Sequence, residues 1–207
     1  MSNETQKTCS TICLDRFYEE RFCNHNTYQE LIEYAFPRAT HFMLVYFYET
    51  QKGIPSEMKE MKSKLAPFAV KTRHNSRWPG TNRTCNNHDW RHDIVLYKTV
   101  PEAKEILLQV SDLSSWRFPN NPEDLAFFKE GKCWLYSTVH EKMATCIRAS
   151  KEDIAFFKKL GICGRATKEE LALYEKFGIA GIAGIANRYE VQIVPEHFFL
   201  AYDETLK

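Results

Sequence analysis

The run His41-Phe42-Met43-Leu44-Val45-Tyr46-Phe47-Tyr48 constrains the fold more than any other stretch. It is almost continuously apolar and closes on three aromatic residues. An amphipathic helix would carry a polar stripe, and this run has none. Its length suits a strand better than a buried helix. The pattern predicts a central strand covered on both faces. Such a strand needs neighbours on both sides and packing layers above and below it.

Other segments supply them. Asp93–Thr99 and Cys133–Val139 are rich in aromatic and β-branched residues and read as strands. Tyr189–Val194 reads as a last strand, with Pro195 at its end. Residues 12–36 read as helical in two pieces. The second opens at Thr27 with Glu30 as a capping box, and Pro37 ends it. Pro55-Ser56-Glu57 opens a helix with Met58, Met61 and Leu65 on one face, stopped by Pro67. Thr99 is a cap for a helix over Pro101–Leu113. The expected architecture is one α+β domain over residues 11–207, following a polar, disordered tail at 1–10. It has a mixed sheet of about four or five strands, near 41–48, 93–99, 132–139 and 189–194, flanked by helices.

One eight-residue device recurs. Pro122-Glu123-Asp124-Leu125-Ala126-Phe127-Phe128-Lys129 resembles Lys151-Glu152-Asp153-Ile154-Ala155-Phe156-Phe157-Lys158, and 168–175 is a weaker echo. Each follows a capping residue (Asn121, Ser150, Thr167) and ends near glycine (Gly131, Gly161, Gly178). Acids in the first turn suit a helix start, so all three are read as amphipathic helices. The Gly178–Ala186 triplet run lacks the lysine and the strand-to-helix setting of a phosphate loop. It reads as a flexible apolar loop or a site of close backbone packing.

Composition narrows the function classes. A net charge of +1 argues against coating nucleic acid through bulk charge. No apolar run approaches the ~20 residues of a membrane helix, and the first residues lack a signal-peptide core. The expectation is a cytoplasmic protein with no membrane association. Seven cysteines, an odd number, fit free thiols better than a closed disulfide set. Cys133, Cys146 and Cys163 lie in no nucleophile motif and read as structural thiols.

Three groups carry candidate chemistry. Residues 72–92 show neither helical nor strand period and read as a long loop, a place where function concentrates. The loop holds Arg73, Arg77, Arg83 and Arg91, with Trp78 and Trp90 among them and Asp89 as the one acid. Guanidinium forks match carboxylate or phosphate, and an indole can stack on a ring. Overlapping it, Cys85, His88 and His92 are metal-ligand types at spacings found in zinc sites. A fourth ligand would have to come from His74, Cys133 or His140, and no second close pair completes the pattern. The expectation is therefore no stoichiometric metal and no cofactor. The third group is His140-Glu141, an imidazole beside a carboxylate, suited to acid–base work if the strand before it has ended.

Taken together, Arg77-Trp78-Pro79-Gly80-Thr81, Pro122-Glu123-Asp124-Leu125, Trp134-Leu135 and His140-Glu141 resemble a group of uncharacterised bacterial and phage proteins. The resemblance covers residues 77–141. It implies a bacterial or phage setting, and a cleft shared by the Trp-Pro-Gly-Thr loop and the His-Glu pair. Cys85, His88 and His92 lie outside the shared pattern. The leading functional expectation is a small binding protein that presents the 73–92 loop to an anionic small molecule or protein partner. One alternative is a small enzyme using His140 and Glu141 with an arginine anion clamp. The other is a zinc-binding module.

Overall fold

The structure is a computed structural model that describes residues 8–14, 24–49, 53–74, 77–82, 90–141, 143–160, 192–196 and 200–204. Its strands are β1 (Thr8–Leu14), β2 (His41–Glu49), β3 (Ala69–His74), β4 (Arg77–Trp78), β5 (Thr81–Asn82), β6 (Trp90–Lys98), β7 (Glu123–Lys129), β8 (Lys132–Thr138), β9 (Met143–Ile147) and β10 (Gln192–Pro195). Its helices are α1 (His25–Ala35), α2 (Ser56–Leu65), α3 (Pro101–Leu107), α4 (Lys151–Leu160) and the short α5 (Leu200–Asp203).

The fold is α+β, as the sequence implies. Eight strands form one sheet in the order β10-β1-β9-β8-β7-β2-β6-β3. Every pairing in it is antiparallel, so the sheet is larger than expected and not mixed. β4 and β5 form a separate two-stranded hairpin.

β2 shows why the sheet has two covered faces. Phe42, Leu44 and Tyr46 join one buried cluster with Tyr28, Leu31 and Ile32 of α1, Met58 of α2, Leu107 of α3 and Phe157 of α4. Met43, Val45 and Phe47 join the other, with Trp78 of the hairpin. Side chains alternate along a strand, so four helices cover one face and the hairpin covers part of the other. Tyr202 of α5 packs on the hairpin side too, with its ring edge-on to Tyr136 of β8.

Several expected elements fall elsewhere. Of the two helical pieces expected over 12–36, the second is found as α1; the first falls mostly on residues 15–23, which lie outside the described residues, and its opening residues 12–14 belong to strand β1. β1 also takes in Thr8–Ser10, residues assigned from sequence to the tail. α1 is capped by Asn24, whose side-chain oxygen accepts from the N–H groups of Asn26 and Thr27, rather than by Thr27. α3 stops at Leu107, and the Thr99 hydroxyl donates to the Ala39 carbonyl at 2.6 Å instead of capping it. Of the expected loop at 72–92, the described residues are largely strand, namely the end of β3, the β4–β5 hairpin and the start of β6, while 75–76 and 83–89 lie outside the described residues. The third helical echo and the glycine triplets lie outside the described residues.

The clearest correction is at residues 122–129. The sequence suggests a helix, and the segment is strand β7, paired with β2 and β8. Its near copy at 151–158 is helical in α4. In α4 the cap is reciprocal: Ser150 N–H donates to the Asp153 carboxylate and Asp153 N–H donates to the Ser150 hydroxyl. In β7, Glu123 through Phe128 are all buried, with Phe127 and Phe128 on opposite faces. A helix would have to expose several of these residues. Glu130 and Gly131, both at positive φ, then reverse the chain tightly into β8.

Candidate functional site

Asp124 anchors the site. Between Val45↔Glu123 and Met43↔Ala126, β2 advances two residues while β7 advances three, so β7 carries a bulge here. Asp124 has a φ of 57°, in the left-handed region that aspartate tolerates better than most residues. The bulge turns its carboxylate toward the hairpin. Trp78 Nε1 donates to Oδ2 at 2.6 Å, and the Thr81 hydroxyl donates to the same oxygen at 3.3 Å. The Val139 N–H donates to Oδ1 at 2.9 Å. One fully buried carboxylate thus joins the Trp-Pro-Gly-Thr segment, strand β7 and the turn that carries His140.

The hairpin is held tightly against β8. Gly80, at φ 81°, lies against Thr138 and the Tyr136 ring with no room for a side chain.

β8 ends at Thr138, and Val139–Glu141 form a single 3-10 turn before β9. His140 and Glu141 therefore share one turn rather than opposite faces of a strand. His140 Nε2 stands 3.6 Å from Glu141 Oε1, with the imidazole side chain 26% exposed and the carboxylate 43% exposed. Glu123, 94% buried by its 6% exposure, accepts from the Phe118 N–H at 3.4 Å. Ligand atoms of Glu123, Asp124 and His140 all lie within 4.8 Å of one another. Two buried carboxylates, a partly exposed imidazole and a third, exposed carboxylate form one polar junction. An imidazole set among carboxylates is a grouping suited to proton transfer.

The other candidate residues are more scattered. Trp78 is buried, with its indole N–H given to Asp124, so it presents no stacking face to solvent. Arg77 is exposed on β4. Arg73 is on β3, and its guanidinium donates to the Glu204 carbonyl at 2.6 Å. Arg83, Cys85 and His88 lie outside the described residues, as does the side chain of Arg91. His92 is buried, its ring 4.8 Å from that of Phe47 and 5.4 Å from that of Trp78. The sequence names His140 and Glu141 but assigns Glu123 and Asp124 to a helix start. The signal that could have placed them was the grouping of Pro-Glu-Asp-Leu with Trp-Pro-Gly-Thr and His-Glu.

A second polar cluster lies where α2 meets the sheet. Asp93 of β6 is paired with Lys62 Nζ at 2.7 Å and with His74 Nδ1 at 2.6 Å, and it accepts from the Tyr48 hydroxyl. Lys62 also donates to Tyr48 at 3.0 Å. Burial lowers the Lys62 pKa and raises that of Asp93. Each charge is disfavoured alone, and each compensates the other. This cluster ties α2 to the sheet.

No helix among the described residues is long and apolar enough to cross a membrane. Against protein-family models, curated proteins and solved structures, the chain finds no match, so the reading of its site comes from geometry alone.

Proposed function

We propose that this protein is a small enzyme whose reactive centre is the junction of β7, the Val139–Glu141 turn and the β4–β5 hairpin. The observation that carries the reading is the convergence of Glu123, Asp124 and His140 within 4.8 Å, brought together at one end of the β7–β8 pair. Partly exposed His140 and Glu141 act as the proton-handling pair, because an imidazole beside a carboxylate is suited to general acid–base work. Arg77, exposed on the hairpin that Asp124 anchors, would hold an anionic group of the substrate in this reading.

The test is turnover on a panel of ester, amide, phosphoester and glycoside reporters. His140→Gln and Glu141→Gln should each lower any turnover found by about 100-fold or more, the usual contribution of a positioned acid or base. Turnover that survives both substitutions would remove the junction from the chemistry.

A second reading keeps the protein as a binding module. The edge strand β3 is largely exposed along its length, and exposed Arg77 follows it. These side chains and the adjoining basic segment would then hold an anionic small molecule or protein partner. Arg77→Ala should weaken capture of that partner in a salt-dependent way while leaving reporter turnover, if any, to His140.

A further inference from the structure

We propose that the cleft between α2 and residues 109–121 binds a short zwitterionic peptide, with its carboxylate on Arg117 and its ammonium group on Glu57. The cleft holds about 620 Å³, room for a ligand of a few residues. It is separate from the junction, because Glu123, Asp124, His140 and Glu141 do not line it.

Two unlike walls make the cleft. Residues 57, 60, 61 and 64 fall on one face of α2 and form the first. The second is a loop braced by its own hydrogen bonds. The Asp112 carboxylate accepts from the Ser111 and Ser114 hydroxyls and from the Ser115 N–H. The Asn121 side-chain amide donates to the Ser115 carbonyl at 2.9 Å. Arg117 gives its N–H to the Ser115 carbonyl, and its own carbonyl accepts from the Asn121 N–H. Its side chain therefore leaves the loop from a fixed point. A wall ordered before the ligand arrives lowers the cost of binding. Met61, Val110 and Phe118, which pack with the core on the helical side of the sheet, give the cleft an apolar lining.

Charge selects the ligand. Glu60 and Lys64 compensate each other at 2.8 Å. Glu57 and Arg117 differ from them. Glu57 accepts from the neutral Ser56 hydroxyl, and neither Glu57 nor Arg117 has an ionic partner. They line the same cleft from opposite walls without pairing with each other. A simple anion would meet Glu57, and a simple cation would meet Arg117. A molecule that carries both charges, spaced by a neutral body, satisfies both. The guanidinium fork matches a carboxylate, and the Glu57 carboxylate accepts from an ammonium group. The exposed amides of Gln109 and Asn120 offer donors and acceptors to peptide units, and the apolar lining takes a side chain.

The experiment is titration of the full-length protein with the tripeptide Ala-Leu-Ala, read by calorimetry and by amide chemical shifts. Shifts should centre on residues 57–64 and 109–121. Acetylating the amine of the peptide, or amidating its carboxylate, should each weaken binding by about 5-fold or more. Arg117→Gln should bind the free and amidated peptides equally well, and Glu57→Gln the free and acetylated ones. Both side chains are exposed, so both variants should fold. If one does not, the three peptides on the wild-type protein decide. Absence of binding at millimolar peptide overturns the proposal. So do shifts centred elsewhere, blocked peptides that bind as well as the free one, or variants that keep the wild-type preference. Free leucine binding as tightly as the tripeptide would overturn the assignment to a peptide.

Discussion

The Trp78 indole N–H donates to the Asp124 carboxylate at 2.6 Å, and both side chains are buried. This bond fixes the hairpin to the bulge in β7. Trp78→Phe keeps most of the ring packing and removes the donor. Losing a hydrogen bond to a buried carboxylate should cost about 1.5–3 kcal/mol in denaturant unfolding. Asp124→Asn, which tolerates the left-handed backbone, should cost less than Asp124→Ala. A Trp78→Phe protein as stable as wild type would show that the bond contributes nothing.

Gly80 and Gly131 both sit at positive φ, yet they should respond differently to alanine. A Cβ at Gly131 meets open space, so only the backbone strain of about 1–2 kcal/mol is expected. At Gly80 a Cβ would lie 2.8 Å from the Tyr136 ring and would also collide with the Thr138 hydroxyl. Strain plus overpacking should bring the loss to about 2–4 kcal/mol. Thermal melts of the two variants give the comparison, and equal losses would contradict the close packing of the hairpin.

Asp153 gives acid sensitivity of known sign. Burial by itself raises its pKa, but donors from Ser150 and Tyr34 and the charge of Lys129 outweigh it, so the net shift is downward. A depressed carboxylate contributes stability above its unfolded pKa and loses it as pH falls through the folded one. Denaturant midpoints should therefore drop as pH falls below about 4. In Asp153→Asn the same curve should be flatter, with lower stability at neutral pH. Parallel curves would assign the acid response to other groups.

Lys62 and Asp93 should be coupled. Lys62→Met leaves the buried Asp93 charge with fewer partners. The loss should be about 1–3 kcal/mol, less than for a fully buried pair because Lys62 remains partly solvated. Adding Asp93→Asn should recover part of that loss, so the double variant falls short of the sum of the singles. Additive losses in a double-mutant cycle would mean that the pair acts only as two separate contacts.

What the sequence makes legible depends on how local the deciding physics is. β2 is legible because an apolar run without a polar stripe fits only a doubly covered strand. α2 is legible because proline and an acid mark its start. β7 is not, because Glu-Asp-x-Ala-Phe-Phe-Lys occurs twice, once as strand and once as helix. The Ser150 cap acts within four residues and holds α4. β7 is decided by β2 and β8, whose pairing lies outside any local window. The same holds at the site. His140-Glu141 is visible as a dipeptide, whereas Glu123 joins it only through the bulge and hairpin contacts of Asp124.

The placement of β1 has a consequence for synthesis. Its neighbours in the sheet are β9, through Ile12↔Cys146, and β10, through Ser10↔Ile193. On the ribosome these early residues wait for more than 130 others before the first partner exists, and for still more before the second. At elongation rates of ~5–20 residues per second, the second wait is roughly ten seconds or longer. A chain that stalls between residues 150 and 190 could assemble most of the sheet but would leave one side of β1 as a bare edge. Such an edge is a template for another chain, so incomplete translation products of this fold should be the species that aggregate or that chaperones and proteases capture.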